Sequence, residues 1–303
     1  MPSSVNSSTP PTSERGPLLD RALRSALVGL HLPVHRVRGV LPGMHPGSGP
    51  GPGEDFFQHR PYAEGEDVRA VDWRASARIG HLLVKERHRP LRQPLVLLLD
   101  ASASMGFPRR GTTKERCARQ LAAALALLAL RRRDPVTLQL LGGHRFLPAG
   151  RILPDGNPSG AVEAVFGRGT GGGRGDAGRA LASLPPDRYA GNHLVLLSDL
   201  YGDASALVRG IERLAHAGAA LSVLHLLAEN DRTLPPGAEA VRDVETGQAL
   251  FVPASGGASL PVRVEAWATG LERDGARAGA EWLLVDAGQP PGAALRRWLG
   301  GRP

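Results

Sequence analysis

The chain has 303 residues, 42% hydrophobic and 22% charged, a balance that fits an ordinary globular fold and argues against both wholesale disorder and a polytopic membrane protein. Its single cysteine, Cys117, excludes an internal disulfide and a cysteine-based zinc cluster. The formal net charge of +8 is carried by arginines scattered among acidic residues along the whole chain. No aromatic-rich basic tract is present, so nucleic acid is not an expected partner.

Residues 1–16 are rich in Ser, Thr and Pro and read as a disordered tail. They lack an early basic region and an apolar signal core, so a cytoplasmic location is expected. Leu19, Leu23, Leu27 and Leu30 then recur at helical spacing, which predicts an amphipathic helix packed on the body of the protein. A short strand-like "HRVRGV" leads into the loop stretch "PGMHPGSGPGPGED" and a charged segment that ends in an extended "HLLVKER". From residue 94 the pattern changes. "PLVLLLD" is a continuous apolar run suited to a strand buried on both faces. The long helix "TTKERCARQLAAALALLALRRR" follows, with basic residues in its last turn. Its apolar stretch Leu121–Leu130 is about half of what a bilayer requires, so no membrane span is expected. Cys117 falls on this helix as a small buried hydrophobe.

Strands and helices then alternate: "PVTLQLLGG", "HRFLPAG", helical "DAGRALASL", "HLVLLSDL", helical "DASALVRGIERLAHAG" and "ALSVLHLLA". "EAVRDVETGQALFVPA" reads as an antiparallel excursion turning near Thr246 and Gly247, before a helix, a last strand "AEWLLVDAG" and a terminal helix. The fold class this implies is α/β, with a doubly wound, mostly parallel sheet carrying helices on both faces. The expected organisation is a tail over 1–16, an N-terminal helix and charged segment over 17–93, and the α/β domain over 94–303.

In such sheets ligands bind beyond the carboxyl ends of the strands, where strand order reverses. Asp100 ends the first strand of the domain, and Asp199 ends the strand expected beside it. Asp100, Ser102 and Ser104 offer one carboxylate and two hydroxyls within five residues. These are hard oxygen donors of the kind magnesium prefers, and an incomplete shell would leave a position for an acidic residue of another chain. On residue type alone, the same triplet also suits a turn or a helix cap.

Asp100-x-Ser102-x-Ser104, followed by Met105 and Gly106, resembles the metal-ion-dependent adhesion motif of von Willebrand factor A domains. The upstream residues Arg60, Tyr62, Gly65, Asp67, Arg69, Asp72, Trp73 and Arg78 resemble the signature of the bacterial family called domain of unknown function 58. The resemblance is detailed over about 36–105 and at the level of fold beyond. It implies a non-catalytic, von Willebrand factor A-like interaction protein with a possible Mg2+ site, working with a MoxR-type AAA+ ATPase on client complexes. Many relatives carry two membrane helices before the signature, and this chain does not, which implies a soluble form.

One departure stands out. Where the adhesion motif adds a threonine, "GGGRGDAGRAL" presents Gly175 and Asp176, with Thr170 five residues earlier. Asp176 has two readings, a ligand through its carboxylate or the cap of the following helix, and Thr170 is a second candidate ligand. The signature residues are read as structural, with Asp67, Asp72, Arg69 and Arg78 in an ion-pair network and Trp73 as a packing anchor. The ten histidines form no convincing metal pattern, and "GTGGGRG" lacks the ending of a phosphate-binding loop. Two other functions compete with the interaction module: a magnesium-dependent phosphoester hydrolase using Asp100, and a scaffold that needs no metal. Dehalogenase-like phosphatases place an aspartate where this chain has Ser102, which argues against the first.

Overall fold

The computed structural model describes residues 16–33, 50–63, 67–88, 93–106, 113–153, 155–167, 175–234, 240–245, 247–251 and 256–300. The strand-like stretch at 35–40, Gly65, Thr170 and all but the last residue of the tail lie outside them. Two compact units emerge: Met1–Gly39 together with Gln93–Pro303, and Val40–Arg92. This differs from the division expected from the sequence, because the N-terminal helix belongs to the large unit and not with the signature segment. The reason lies in its apolar face. Helix α1 (Arg21–Ala26) is capped by Asp20, whose Oδ1 accepts the Leu23 N–H at 2.7 Å. Leu18, Leu19, Leu23 and Leu27 are buried in the large unit's core.

The small unit pairs β1 (Pro50–Pro61) antiparallel with β2 (Leu83–His88), and α2 (Trp73–Ile79) lies between them in the chain. The first residues of β1 fall in the stretch expected to be a loop. Pro50 and Asp55 both register with His88, so the Gly/Pro-rich start is accommodated as an irregularity of the ladder. Asp72 caps α2, and the Ser76 hydroxyl donates to the Asp72 carbonyl while accepting the Leu83 N–H.

In the large unit, β3 (Leu95–Leu99) is buried at every position, as a central strand must be. Thr113 caps α3 (Lys114–Arg131), whose apolar face covers one side of the sheet. Arg116, Arg131 and Arg132 of that region donate to carbonyls of Gly16, Leu27 and Leu32, which ties segment 16–33 to it. The chain continues through β4 (Val136–Gly142), β5 (Arg145–Ile152), α4 (Pro158–Gly167), α5 (Ala177–Ala182), β6 (His193–Ser198), α6 (Ala204–His216), β7 (Ala220–Leu227) and α7 (Glu229–Arg232). It ends with β8 (Ala240–Arg242), β9 (Ala249–Phe251), α8 (Gly256–Arg277), β10 (Ala280–Asp286) and α9 (Pro291–Leu299).

Six strands form one sheet in the order β10-β7-β6-β3-β4-β5, all parallel except the hairpin edge strand β5. Alternate residues point to opposite faces: Leu95, Leu97 and Leu99 share one core cluster with residues of α1, α3 and α9, whereas Val96 and Leu98 share another with residues of α5 and α6. The fold is thus a mixed α/β three-layer arrangement on a mostly parallel sheet. From β3 the chain first builds outward through β4, then returns to place β6 on the other flank of β3. Strand order therefore reverses between β3 and β6, and the crevice at their carboxyl ends is where such folds bind ligands. Among the described residues, no helix is long and apolar enough to cross a membrane.

Candidate functional site

Because β3 and β6 are adjacent and parallel, with Leu99 paired to Leu197, the residues that follow them emerge at one rim. Asp100 is almost completely buried there and held at both oxygens. Its Oδ1 accepts the Ser102 N–H at 2.8 Å, and its Oδ2 accepts the Ser198 hydroxyl at 2.6 Å. The Ser198 hydroxyl in turn accepts the Leu200 N–H at 2.9 Å. Leu200 adopts φ 59°, a left-handed conformation that costs a side-chain-bearing residue on the order of 1–3 kcal/mol. Such strain concentrates at functional turns, and here the buried Ser198 contact holds it in place.

Ser102 and Ser104 lie side by side on the turn after β3, their hydroxyl oxygens 3.0 Å apart and both buried. Asp199 reaches the same rim with a different commitment. Its Oδ2 lies 2.8 Å from Lys114 Nζ, and the same ammonium is 3.0 Å from Asp231 Oδ1 and 5.0 Å from the centre of the Tyr201 ring. Burial disfavours a charged lysine, yet the Asp199 and Asp231 carboxylates outweigh it and hold the Lys114 pKa above its ordinary value.

Asp176 caps the helix that follows it. Its Oδ1 accepts the Arg179 N–H at 3.0 Å and its Oδ2 the Asp203 N–H at 3.3 Å, the contacts of the capping reading. Gly175 approaches so closely that an added Cβ would lie 3.0 Å from Ser102 Cβ. Its backbone N–H donates to Glu245 Oε2 at 3.4 Å, and Glu245 Oε1 accepts the Ser104 hydroxyl at 3.2 Å.

Electrostatically the rim sets Asp100, Asp199, Asp231 and Glu245 against the ammonium of Lys114. Burial and the neighbouring Asp199 raise the Asp100 pKa to about 6, in spite of hydrogen bonds from Ser198 and Ser102. Burial likewise raises Glu245, opposed by hydrogen bonds from Gly175 and Ser104. The donor set left for a hard cation is Asp100, Ser102 and Ser104. These hard oxygens suit magnesium by chemistry, and Asp199 and Asp176 lie in ion-pair and capping contacts of their own. Among the described residues, no cluster of three or more His, Cys, Asp or Glu is arranged to hold a metal.

The signature residues occupy the small unit. Asp67 Oδ1 accepts the Arg69 backbone N–H at 2.9 Å, and Asp72 caps α2 while facing His59 Nε2 at 2.9 Å. Arg60 donates to the Pro61 carbonyl, and Tyr62 N–H to that of Leu82. The guanidinium groups of Arg69 and Arg78 make no ion pair among the described residues, and Asp67 and Asp72 are seen in capping contacts. Trp73 is 62% exposed at the first turn of α2 and does not serve as a packing anchor.

Sequence reasoning missed Lys114, Ser198, Asp231 and Glu245. For Lys114 a signal existed, since of 37 basic residues only Lys85 and Lys114 are lysine. For Glu245 none did, because its partner Ser104 is 141 positions away.

Residues 58–266 match the family described as Protein of unknown function DUF58, and the chain belongs to that family. It is 30% identical over 256 residues to Uncharacterized protein Rv1480 of Mycobacterium tuberculosis (strain ATCC 25618 / H37Rv), covering 78% of this chain and 76% of that one. Uncharacterized protein Mb1516 of Mycobacterium bovis matches over the same extent. Among solved structures, BatB from Bacteroides thetaiotaomicron aligns over 69% of this chain and 100% of its own, at 17% identity and a TM-score of 0.42. An aerotolerance-related membrane protein from Bacteroides fragilis NCTC 9343 covers the same shares, at 18% identity and a TM-score of 0.43. Likenesses at that level transfer no function.

Proposed function

We propose that the chain is a non-catalytic, von Willebrand factor A-like module that binds other proteins through the β3/β6 rim, assisted by Mg2+. One observation carries the reading: Asp100, Ser102 and Ser104 gather their oxygens at the switch point of the sheet, the place where such folds take ligands. Asp100 is oriented in advance by Ser198 and the Ser102 amide, and Ser102 and Ser104 are fixed against each other. A bound magnesium would supply a positive charge that an acidic side chain of a partner completes. Family membership supports a MoxR-type AAA+ ATPase and its client as partners, through the resemblance of the signature residues.

The site argues against catalysis by serine. Neither Ser102 nor Ser104 hydrogen-bonds a histidine among the described residues, so the rim presents no Ser-His pair of the hydrolase type. A metal-independent scaffold is the one rival that a specific observation favours, because Lys114 already places a cation against Asp199. Co-purification with a co-expressed MoxR-type ATPase, with Mg2+ or with EDTA, tests the proposal. Recovery that requires Mg2+ and is lost in Asp100→Ala is the expected result. Recovery of no ATPase under either condition, or turnover of phosphate esters that Asp100→Ala abolishes, would overturn it, whereas recovery indifferent to Mg2+ points to the scaffold.

A further inference from the structure

The turn between β8 and β9 carries an acidic residue into the rim. Asp243 braces that turn: its Oδ1 accepts the Glu245 N–H at 2.8 Å, its carbonyl accepts the Gly247 N–H at 2.9 Å, and its own N–H donates to the Gln248 carbonyl. Gly247, at φ 72°, supplies the left-handed residue the turn needs. The result points Glu245 at two donors. The Ser104 hydroxyl and the Gly175 N–H address different oxygens of one carboxylate, at 3.2 and 3.4 Å. Both distances are long, and both bonds are within reach of competition.

The hairpin itself buries little. Phe251 is 89% exposed and Leu250 64%, and no residue of β8 or β9 is buried. A two-stranded ribbon without a packed face is marginal by itself. The Glu245 carboxylate ties the turn to the sheet rim. Gly175 makes the arrangement possible, since a side chain there would clash with Ser102 and Leu141.

We infer that Glu245 is an internal ligand of the rim, taking the Ser104 and Gly175 donors that would otherwise receive the acidic side chain of a partner. The isolated chain is then self-capped, and a partner engages only as the β8–β9 tip lifts. Glutamate suits this role better than glutamine, because both donors need an acceptor and an amide offers one acceptor only. The inference rests on reading the rim as a carboxylate-binding interaction site.

The test uses N-acetyl-glutamate N-methylamide as the probe, titrated into the full chain while the Gly175 amide resonance is followed, once with Mg2+ and once with EDTA. Glu245→Ala should bind the probe saturably, at least tenfold more tightly than wild type in the better of the two conditions. Glu245→Gln, which keeps the size of the side chain, should fall between them and serves if the alanine variant does not fold. Equal binding by wild type and both variants would overturn self-capping and leave the rim reading standing. No binding by any of them would overturn the rim reading, and self-capping with it.

Discussion

Lys114 Nζ lies 2.8 Å from Asp199 Oδ2, and both side chains are 1% exposed. The chain therefore carries its own cation at the end of β6, shared with Asp231. Removing one partner of a buried ion pair leaves an uncompensated charge and costs about 3–5 kcal/mol. Lys114→Ala should lower unfolding stability in urea by about that amount at pH 7.5. Adding Asp199→Asn should restore part of the loss, which a simple packing defect would not allow.

His225 predicts how stability depends on pH. It is buried on β7, edge-on to Trp267 and Trp282, and burial, with Lys114 adding to it, depresses its pKa to about 4. Between the ordinary value near 6.5 and about 4, the unfolded chain takes up a proton that the folded chain refuses. This group therefore lowers stability as pH falls, starting near 6.5 and levelling off near 4, by roughly 3 kcal/mol in all. Asp100, raised to about 6, acts with the opposite sign between about 6 and its ordinary value. The comparison that isolates His225 is with His225→Gln: the stability of wild type relative to the variant should shrink by roughly 3 kcal/mol between pH 7.5 and 4.

Cys117 is fully buried in α3, and burial pushes its thiol pKa up to about 12. A thiol so placed is inert, because the thiolate is the reactive form. Ellman's reagent should leave the native protein unmodified for hours and react with one equivalent once urea unfolds it.

Helices α5 and α6 touch through glycine. A Cβ on Gly210 would lie 2.8 Å from the Ala182 backbone nitrogen, whereas Gly270, on α8, has nothing within 4 Å. Gly210→Ala should cost about 1–3 kcal/mol by forcing the helices apart. Gly270→Ala should instead gain up to about 1 kcal/mol of helix propensity. Thermal unfolding of the two variants, side by side, separates packing from propensity.

The sheet was legible because its central strands are buried on both faces and announce themselves as unbroken apolar runs, as in "LVLLL" and "HLVLLS". The adjacency of β3 and β6, and with it the meeting of Asp100 and Asp199, follows from the rules of parallel sheets. What stayed hidden depended on long-range contacts or on rule-breaking residues. The start of β1 looked like loop because Gly and Pro disfavour strands, yet an irregular edge accepts them. Helix α4, over "PSGAVEAVFG", went unread because it is short and opens with Pro158, Ser159 and Gly160, residues that locally read as a turn. The pairing of Lys114 with Asp199 and of Glu245 with Ser104 is tertiary, and no local pattern encodes it.

In the function we propose, the oxygens of Asp100, Ser102 and Ser104 form a cation-assisted binding rim. Isothermal titration of Mg2+ into wild type and Ser102→Ala tests it most directly. Saturable binding by wild type, weakened at least tenfold (about 1.4 kcal/mol) in the variant, is the predicted result. An absence of heat with wild type, or equal affinity for both proteins, would contradict it.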